Sequence, residues 1–152
     1  MRIRLIAIGR SRPGPHRALF DHYAGRIGFP VTVHDIALPH PLPPEKRRAR
    51  EGELLLAAAP EGAIIVALDE RGQQLASEAF ARRLGRWLES GARDVAFLIG
   101  GAEGLSEAVQ AKANLVLSLG KMTWPHRLVP ALLAEQLYRA ETILAGHPYH
   151  RE

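Results

Sequence analysis

The sequence contains no cysteine, which removes disulfides, thiolate nucleophiles and cysteine-held zinc from consideration. Any metal would have to rest on the seven histidines and the carboxylates. They form no recognisable metal motif, and no metal is expected. No apolar run approaches the roughly 18 residues of a membrane span, and the opening MRIRLIAIGR carries a strand-length apolar segment without a signal-peptide cleavage pattern. A cytoplasmic protein with no membrane partner is the expectation. Internal repeats, low-complexity tracts and linkers are also missing. A chain of 152 residues without such breaks reads as one domain, 1–152. Its 47% hydrophobic and 24% charged residues are those of a chain with a packed core.

The charge that is present is unevenly placed. The formal net charge is only +4, yet Arg2, Arg4, Arg10, Arg12 and Arg17 all precede the first acid, Asp21. Lys46, Arg47, Arg48 and Arg50 form a second cluster, and Arg82, Arg83 and Arg86 a third. Such patches attract polyphosphate partners, although solvated helix faces have the same composition. Charge therefore raises nucleic acid as a partner without deciding it.

Apolar periodicity and turn residues divide the chain into alternating strands and helices. Strands are expected at Ile3 to Ile8, Val31 to Ala37, Ala63 to Asp69, Asp94 to Gly100 and Leu115 to Leu119. Helices are expected at Pro15 to Ile27, at Glu45 to Ala59 after the proline-rich LPHPLPP, from Ser77 to Glu89, after Ser106, and from Arg127 to Ala145. Ser77 and Ser106 are the expected caps. Short apolar strands between helices argue an α/β fold, a mostly parallel sheet with helices on both faces. Ligands in such folds sit beyond the carboxyl ends of the strands. In the last helix Leu133, Leu137, Ala140 and Leu144 form an apolar stripe that suits either the core or a partner.

Two loops leave strands where a ligand would sit. GGAEGLS, Gly100 to Ser106, joins a strand to a helix with glycines that let a ligand approach the backbone. It is not GxGxxG, no ribose-binding acid follows at the right distance, and a tight turn explains it equally well. LSLGKMTWPHRL, Leu117 to Leu128, contains Gly120 and Lys121. It lacks the upstream glycine of a phosphate loop, and Met122 replaces the Ser or Thr, so a nucleotide hydrolase is disfavoured. Trp124, Pro125 and His126 can wall a flat ligand; the competing reading makes Trp124 a core anchor and His126 a helix cap. The terminal HPYHRE sits where chains ordinarily fray, but Tyr149, His150 and Arg151 supply a ring, a group titrating near neutrality and a phosphate fork.

The sequences IGGAEGL, SLGKMTWPHRLVPALLAEQLYRA and PYHRE, with the N-terminal RIRLIAIGR and the central IIVALDERG, resemble the signatures of the RlmH family, the ribosomal RNA pseudouridine N3-methyltransferases of the SPOUT class. The resemblance spans nearly the whole chain in order and spacing. It implies a SPOUT α/β domain with a C-terminal trefoil knot, a homodimer, and S-adenosyl-L-methionine as cofactor. It places cofactor contacts, mostly through backbone, at Leu68, at Gly100, and at Leu119, Gly120, Lys121, Met122, Thr123 and Trp124. The chain departs from the family at Pro130, where a basic residue is usual; a proline there belongs in a first helical turn, and the phosphate contact is either missing or supplied by Arg127.

A pseudouridine N3–H is weakly acidic, so its methylation calls for a base or for donors to the flanking carbonyls. His150 and His126 are the candidate bases, Tyr149 a stacking or hydrogen-bonding group, and Arg151 a phosphate or carbonyl anchor. With no appended RNA-binding domain, the expected substrate is 23S ribosomal RNA in the assembled ribosome. The alternatives are another SPOUT RNA methyltransferase, acting on tRNA ribose, and a non-enzymatic ribosome-binding factor.

Overall fold

The computed structural model describes residues 1–38 and 40–151; Pro39 of the proline-rich lead and Glu152 at the end of PYHRE lie outside them. In chain order the elements are β1 (Arg2–Ile8), α1 (Pro15–Ala24), β2 (Val31–Ile36), α2 (Pro44–Ala58), β3 (Ile64–Gln74), α3 (Ser77–Glu89), β4 (Asp94–Ile99), α4 (Glu107–Lys112), β5 (Leu115–Ser118) and α5 (Val129–Leu144), followed by a 3-10 turn at Pro148–Arg151. The five strands form one sheet in the order β2-β1-β4-β3-β5, parallel throughout.

β4 explains the layering. All six of its residues are buried, because β1 and β3 pair with its two edges and helices cover both faces. Side chains alternate across a strand: Val95 and Phe97 join the core beneath α1, α3 and α5, while Ala96 and Leu98 join the one beneath α2 and α4. α5 packs against α1 and α3. Its Leu133 and Leu137 are buried, and each such side chain contributes about 1.5–3 kcal/mol. Of the apolar stripe on this helix only Leu144 is largely exposed, at 45%, so the stripe serves mainly the core.

Three expectations are corrected. β3 continues past Asp69 to Gln74, because after an irregularity Gln73 and Gln74 pair with Leu117 and Ser118 of β5. Gly72 permits this approach, since a Cβ there would lie 2.6 Å from the Val116 carbonyl oxygen. Ser77 does not cap α3: Ala76 holds that position without a side-chain bond, and the Ser77 hydroxyl donates to Gln136 of α5 at 2.8 Å. Ser106, by contrast, accepts from the Val109 amide at 3.3 Å and caps α4. Finally, α5 begins at Val129 with Leu128 in the capping position, so His126 is no helix cap. Pro130 falls in the first turn, where its missing amide costs nothing.

Among the described residues no helix is long and apolar enough to cross a membrane, and no group of three or more His, Asp or Glu is arranged to hold a metal.

Candidate functional site

A cleft of about 570 Å³ opens at the carboxyl ends of β3, β4 and β5, within the roughly 300–1,000 Å³ of small-molecule sites. Leu68 to Arg71 of β3, Ile99 with the Gly100–Leu105 loop, Leu117, and the loop after β5 line it. Of the residues singled out in sequence, Leu68, Gly100, Leu119, Gly120, Met122, Thr123, Trp124 and His126 meet here. Lys121 does not line the cleft, and neither do Tyr149, His150 and Arg151.

The Gly100–Leu105 loop folds onto itself. Gly101 and Gly104 form an isolated bridge, the Gly104 amide donating to the Gly101 carbonyl at 3.0 Å. A Cβ on Gly100 would lie 3.0 Å from the Gly104 carbonyl carbon and oxygen and from a methyl of Leu105. The glycine at 100 is thus demanded by the turn itself, and the reason inferred from sequence, space for a ligand, comes second to it. Gly104 has φ +76°, in the left-handed region that favours glycine.

The loop after β5 is stapled by Ser118, which is buried. Its hydroxyl oxygen accepts from the Gly120 amide at 3.1 Å and lies 3.0 Å from the carbonyls of Glu70 and Gly120, donating to one at a time. Thr123 donates to the Glu70 carboxylate at 3.3 Å, and the Trp124 indole N–H donates to the Leu119 carbonyl at 3.3 Å. Trp124 is 41% exposed and Met122 78% exposed, so Trp124 is not a core anchor. Its ring closes one side of the cleft.

His126 lies 2.7 Å from the Ile8 carbonyl through Nε2. A carbonyl can only accept, so Nε2 carries the proton. In the neutral ring Nδ1 is then the free acceptor. The neighbouring Gly9, with φ +112°, would bring a Cβ to 3.7 Å from Nε2.

Sequence reasoning missed the acids. Asp69, Glu70 and Glu103 line the cleft with one arginine, Arg71, which pairs with Asp69 at 3.3 Å. The rim is therefore acidic and suits a ligand carrying positive charge. The signal was the position of Asp69 and Glu70 directly after an apolar strand. Glu51 of α2 was also missed. It is 4% exposed and packed so closely under Gly101 that a Cβ there would lie 2.9 Å from its Oε2. That oxygen has no hydrogen-bond partner among the described residues. Burial holds the Glu51 carboxyl above its ordinary pKa, opposed by Arg47 and His126 and assisted by Glu103.

The tail is ordered, but on its own α5. Tyr149 packs on Tyr138, ring centroids 4.6 Å apart, and its hydroxyl donates to Glu135 at 3.2 Å. The Arg26 and Arg139 guanidinium groups lie over the Tyr149 ring at 5.5 and 5.1 Å. Burial and the Glu135 charge push the Tyr149 phenol up to about 12, so it remains a neutral donor at physiological pH. Nδ1 of His150 is buried with no partner among the described residues.

Fold and cleft together define a parallel α/β protein with an acid-rimmed cleft between two loops at the strand ends. A family model described as a predicted SPOUT methyltransferase matches residues 1–150, and the chain belongs to that family. Two relatives named ribosomal RNA large subunit methyltransferase H are similar over 151 residues: that of Rhodospirillum centenum is 58% identical and that of Paramagnetospirillum magneticum 53%, each alignment covering 99% of both chains. The structure of a probable methylase family protein from Haemophilus influenzae shares the fold at 12% identity and a TM-score of 0.53, over 95% of this chain and 66% of that one.

Proposed function

We propose that this protein transfers a methyl group from S-adenosyl-L-methionine to N3 of a pseudouridine in 23S ribosomal RNA, as a single-domain, trefoil-knotted homodimer acting on the assembled ribosome. The observation that carries the reading is the convergence of Leu68, Gly100 and Leu119–Trp124 with His126 in one cleft. The names of the similar relatives support the ribosomal substrate.

The cleft fits the cofactor chemically. Leu68, Leu117, Leu119 and Trp124 offer apolar walls for a nucleoside, and the rim acids Asp69, Glu70 and Glu103 complement a cationic ligand. When bound, S-adenosyl-L-methionine supplies an activated methyl on a good leaving group. The protein must then position the base and take its proton. His126 is suited to the proton, since the Ile8 carbonyl fixes its tautomer and leaves Nδ1 as acceptor. Lys121, outside the cleft lining, is read as a contact through its backbone only.

Tyr149, His150 and Arg151 are assigned to the partner protomer's cleft, because none of them lines the cleft of their own chain and Tyr149 is held on α5. The exposed Met122 and Trp124, beside a groove that runs along α5 to Glu135 and Arg139, are the surface proposed to meet the second copy. Mass spectrometry of ribosomal RNA from cells with and without the gene tests the reading. An N3-methylated pseudouridine that disappears on deletion and returns on complementation is expected. An unchanged set of modified nucleosides overturns it.

A further inference from the structure

A second, smaller cavity of about 120 Å³ adjoins the cleft. It lies at the carboxyl end of β1, between the Gly9–Pro15 loop and the start of α5, and His126 lines both cavities. Arg10, Arg12, His16 and Arg127 converge on it. The fate of the five N-terminal arginines is informative. Arg2 and Arg4 are tied to Asp94 and Arg17 to Asp21. Arg10 and Arg12 have no acidic partner among the described residues, and nor does Arg127. Asp35, the one carboxylate in the lining, is engaged by the Ser11 amide at 2.8 Å. The cavity is too small for a nucleoside, and the three arginines without acidic partners outweigh the single charge of Asp35. An anionic group the size of a phosphate matches both properties, and arginine forks match it in geometry.

We propose that this pocket holds a backbone phosphate of the RNA substrate, next to the nucleotide whose base enters the cleft across His126. The inference rests on the methyltransferase reading above and adds where the RNA strand lies. The acidic rim of the cleft and the basic pocket would then sort the two substrates by charge, cofactor to one side of His126 and RNA backbone to the other.

The test compares the full-length protein with Arg10→Gln/Arg12→Gln, with Arg127→Gln, and with a control, Arg82→Gln/Arg86→Gln, on the exposed face of α3. Methylation of purified ribosomes is measured across a salt series, and cofactor affinity by calorimetry. The pocket double variant should lose about 10- to 100-fold in kcat/KM at moderate salt. Its salt slope should fall by about 0.7–0.9 for each phosphate contact removed. Arg127→Gln should show the same effect in smaller measure, and cofactor affinity should stay within about twofold of the parent, since none of these arginines lines the cleft. Parental kinetics and slope in the pocket variants overturn the inference, as does an equal loss in the α3 control. If the parent itself leaves ribosomes unmethylated, the functional reading fails separately. The pocket is then judged by fluorescence anisotropy with a single-stranded RNA oligonucleotide, where an unchanged slope in the double variant overturns it.

Discussion

The cleft and the tail are built by opposite means. The cleft owes its shape to backbone: a glycine turn closed by the Gly101–Gly104 bridge and a loop held by Ser118 and Gly120. The tail owes its place to side chains, with Tyr149 packed at a tilt on Tyr138, bonded to Glu135 and close to two guanidinium groups. Each region nevertheless retains one buried polar atom without a partner among the described residues, Oε2 of Glu51 beneath the cleft and Nδ1 of His150 in the tail. A surface made from backbone recognises a ligand of fixed shape and tolerates little change in the loop. A segment docked by a few side chains can be released at modest cost and serve elsewhere.

The strongest way to break this contrast is to disable the two regions separately. His126→Ala should lower turnover by about 10²–10⁴-fold if Nδ1 takes the proton, with cofactor affinity nearly unchanged. His126→Gln, whose amide can still donate to the Ile8 carbonyl, should be almost as slow; recovery of the parental rate with Gln would reduce His126 to a positioning residue. Ending the chain after Gly146 should also cost orders of magnitude in methylation while leaving cofactor affinity intact. Mixed dimers of the His126→Ala and truncated chains should recover activity through the one complete site they contain. Mixtures as inactive as their parents would dismiss a tail that crosses to the partner.

Gly100→Val tests the backbone half of the comparison. Its Cβ would press on the Gly104 carbonyl and Leu105 at 3.0 Å, so the loop must open. A loss of about 1–3 kcal/mol in stability should accompany loss of cofactor binding, read by urea unfolding and calorimetry. Normal stability with weakened binding would mean that the glycine serves the ligand and not the turn.

The α/β alternation and most element bounds were legible because apolar runs such as AIIVAL and DVAFLI are buried on both faces and carry their own signal. The polar second half of β3, Glu70–Gln74, was not, since its place depends on pairing with β5 and on Gly72, neither of which leaves a local pattern. The cleft-forming loops were legible as loops at strand ends; how Gly100 and Ser118 shape them was not, because those contacts join atoms distant in the chain. Glu51 lay hidden in a charged helix, where a carboxylate ordinarily faces solvent and where only the packing of Gly101 over α2 shows otherwise. The tail's chemistry was readable from its residue types, but its docking on Glu135 and Tyr138 was not.

Tyr149→Phe sharpens the side-chain half. Loss of the hydroxyl bond to Glu135 should cost about 1 kcal/mol at neutral pH. The phenol is held at about 12 against an ordinary 10.0, so the folded state retains a proton that the unfolded chain has released. The stability this contributes is present below pH 10 and is lost as pH rises towards 12. Thermal unfolding across that window should show the parent converging on Tyr149→Phe, and a constant difference would mean that the hydroxyl bond is not what distinguishes them.

The smallest expected effect concerns Glu51. Its carboxyl is held above the ordinary 4.5 by burial, so between that pH and its folded value the native state binds more protons than the unfolded chain. Parent stability should therefore fall as pH rises through this window. Glu51→Gln removes the titration while keeping the shape under Gly101. The variant should be more stable than the parent at neutral pH by less than about 1 kcal/mol, and the gain should vanish as the pH drops below the ordinary carboxylate range. Urea unfolding from acid to neutral pH reads the difference directly. A gain independent of pH would show that the carboxylate's charge is not what burial opposes. A loss at neutral pH would show that Glu51 is bonded as a carboxylate in solution, which would make the cleft floor a side-chain construction like the tail and remove the contrast between them.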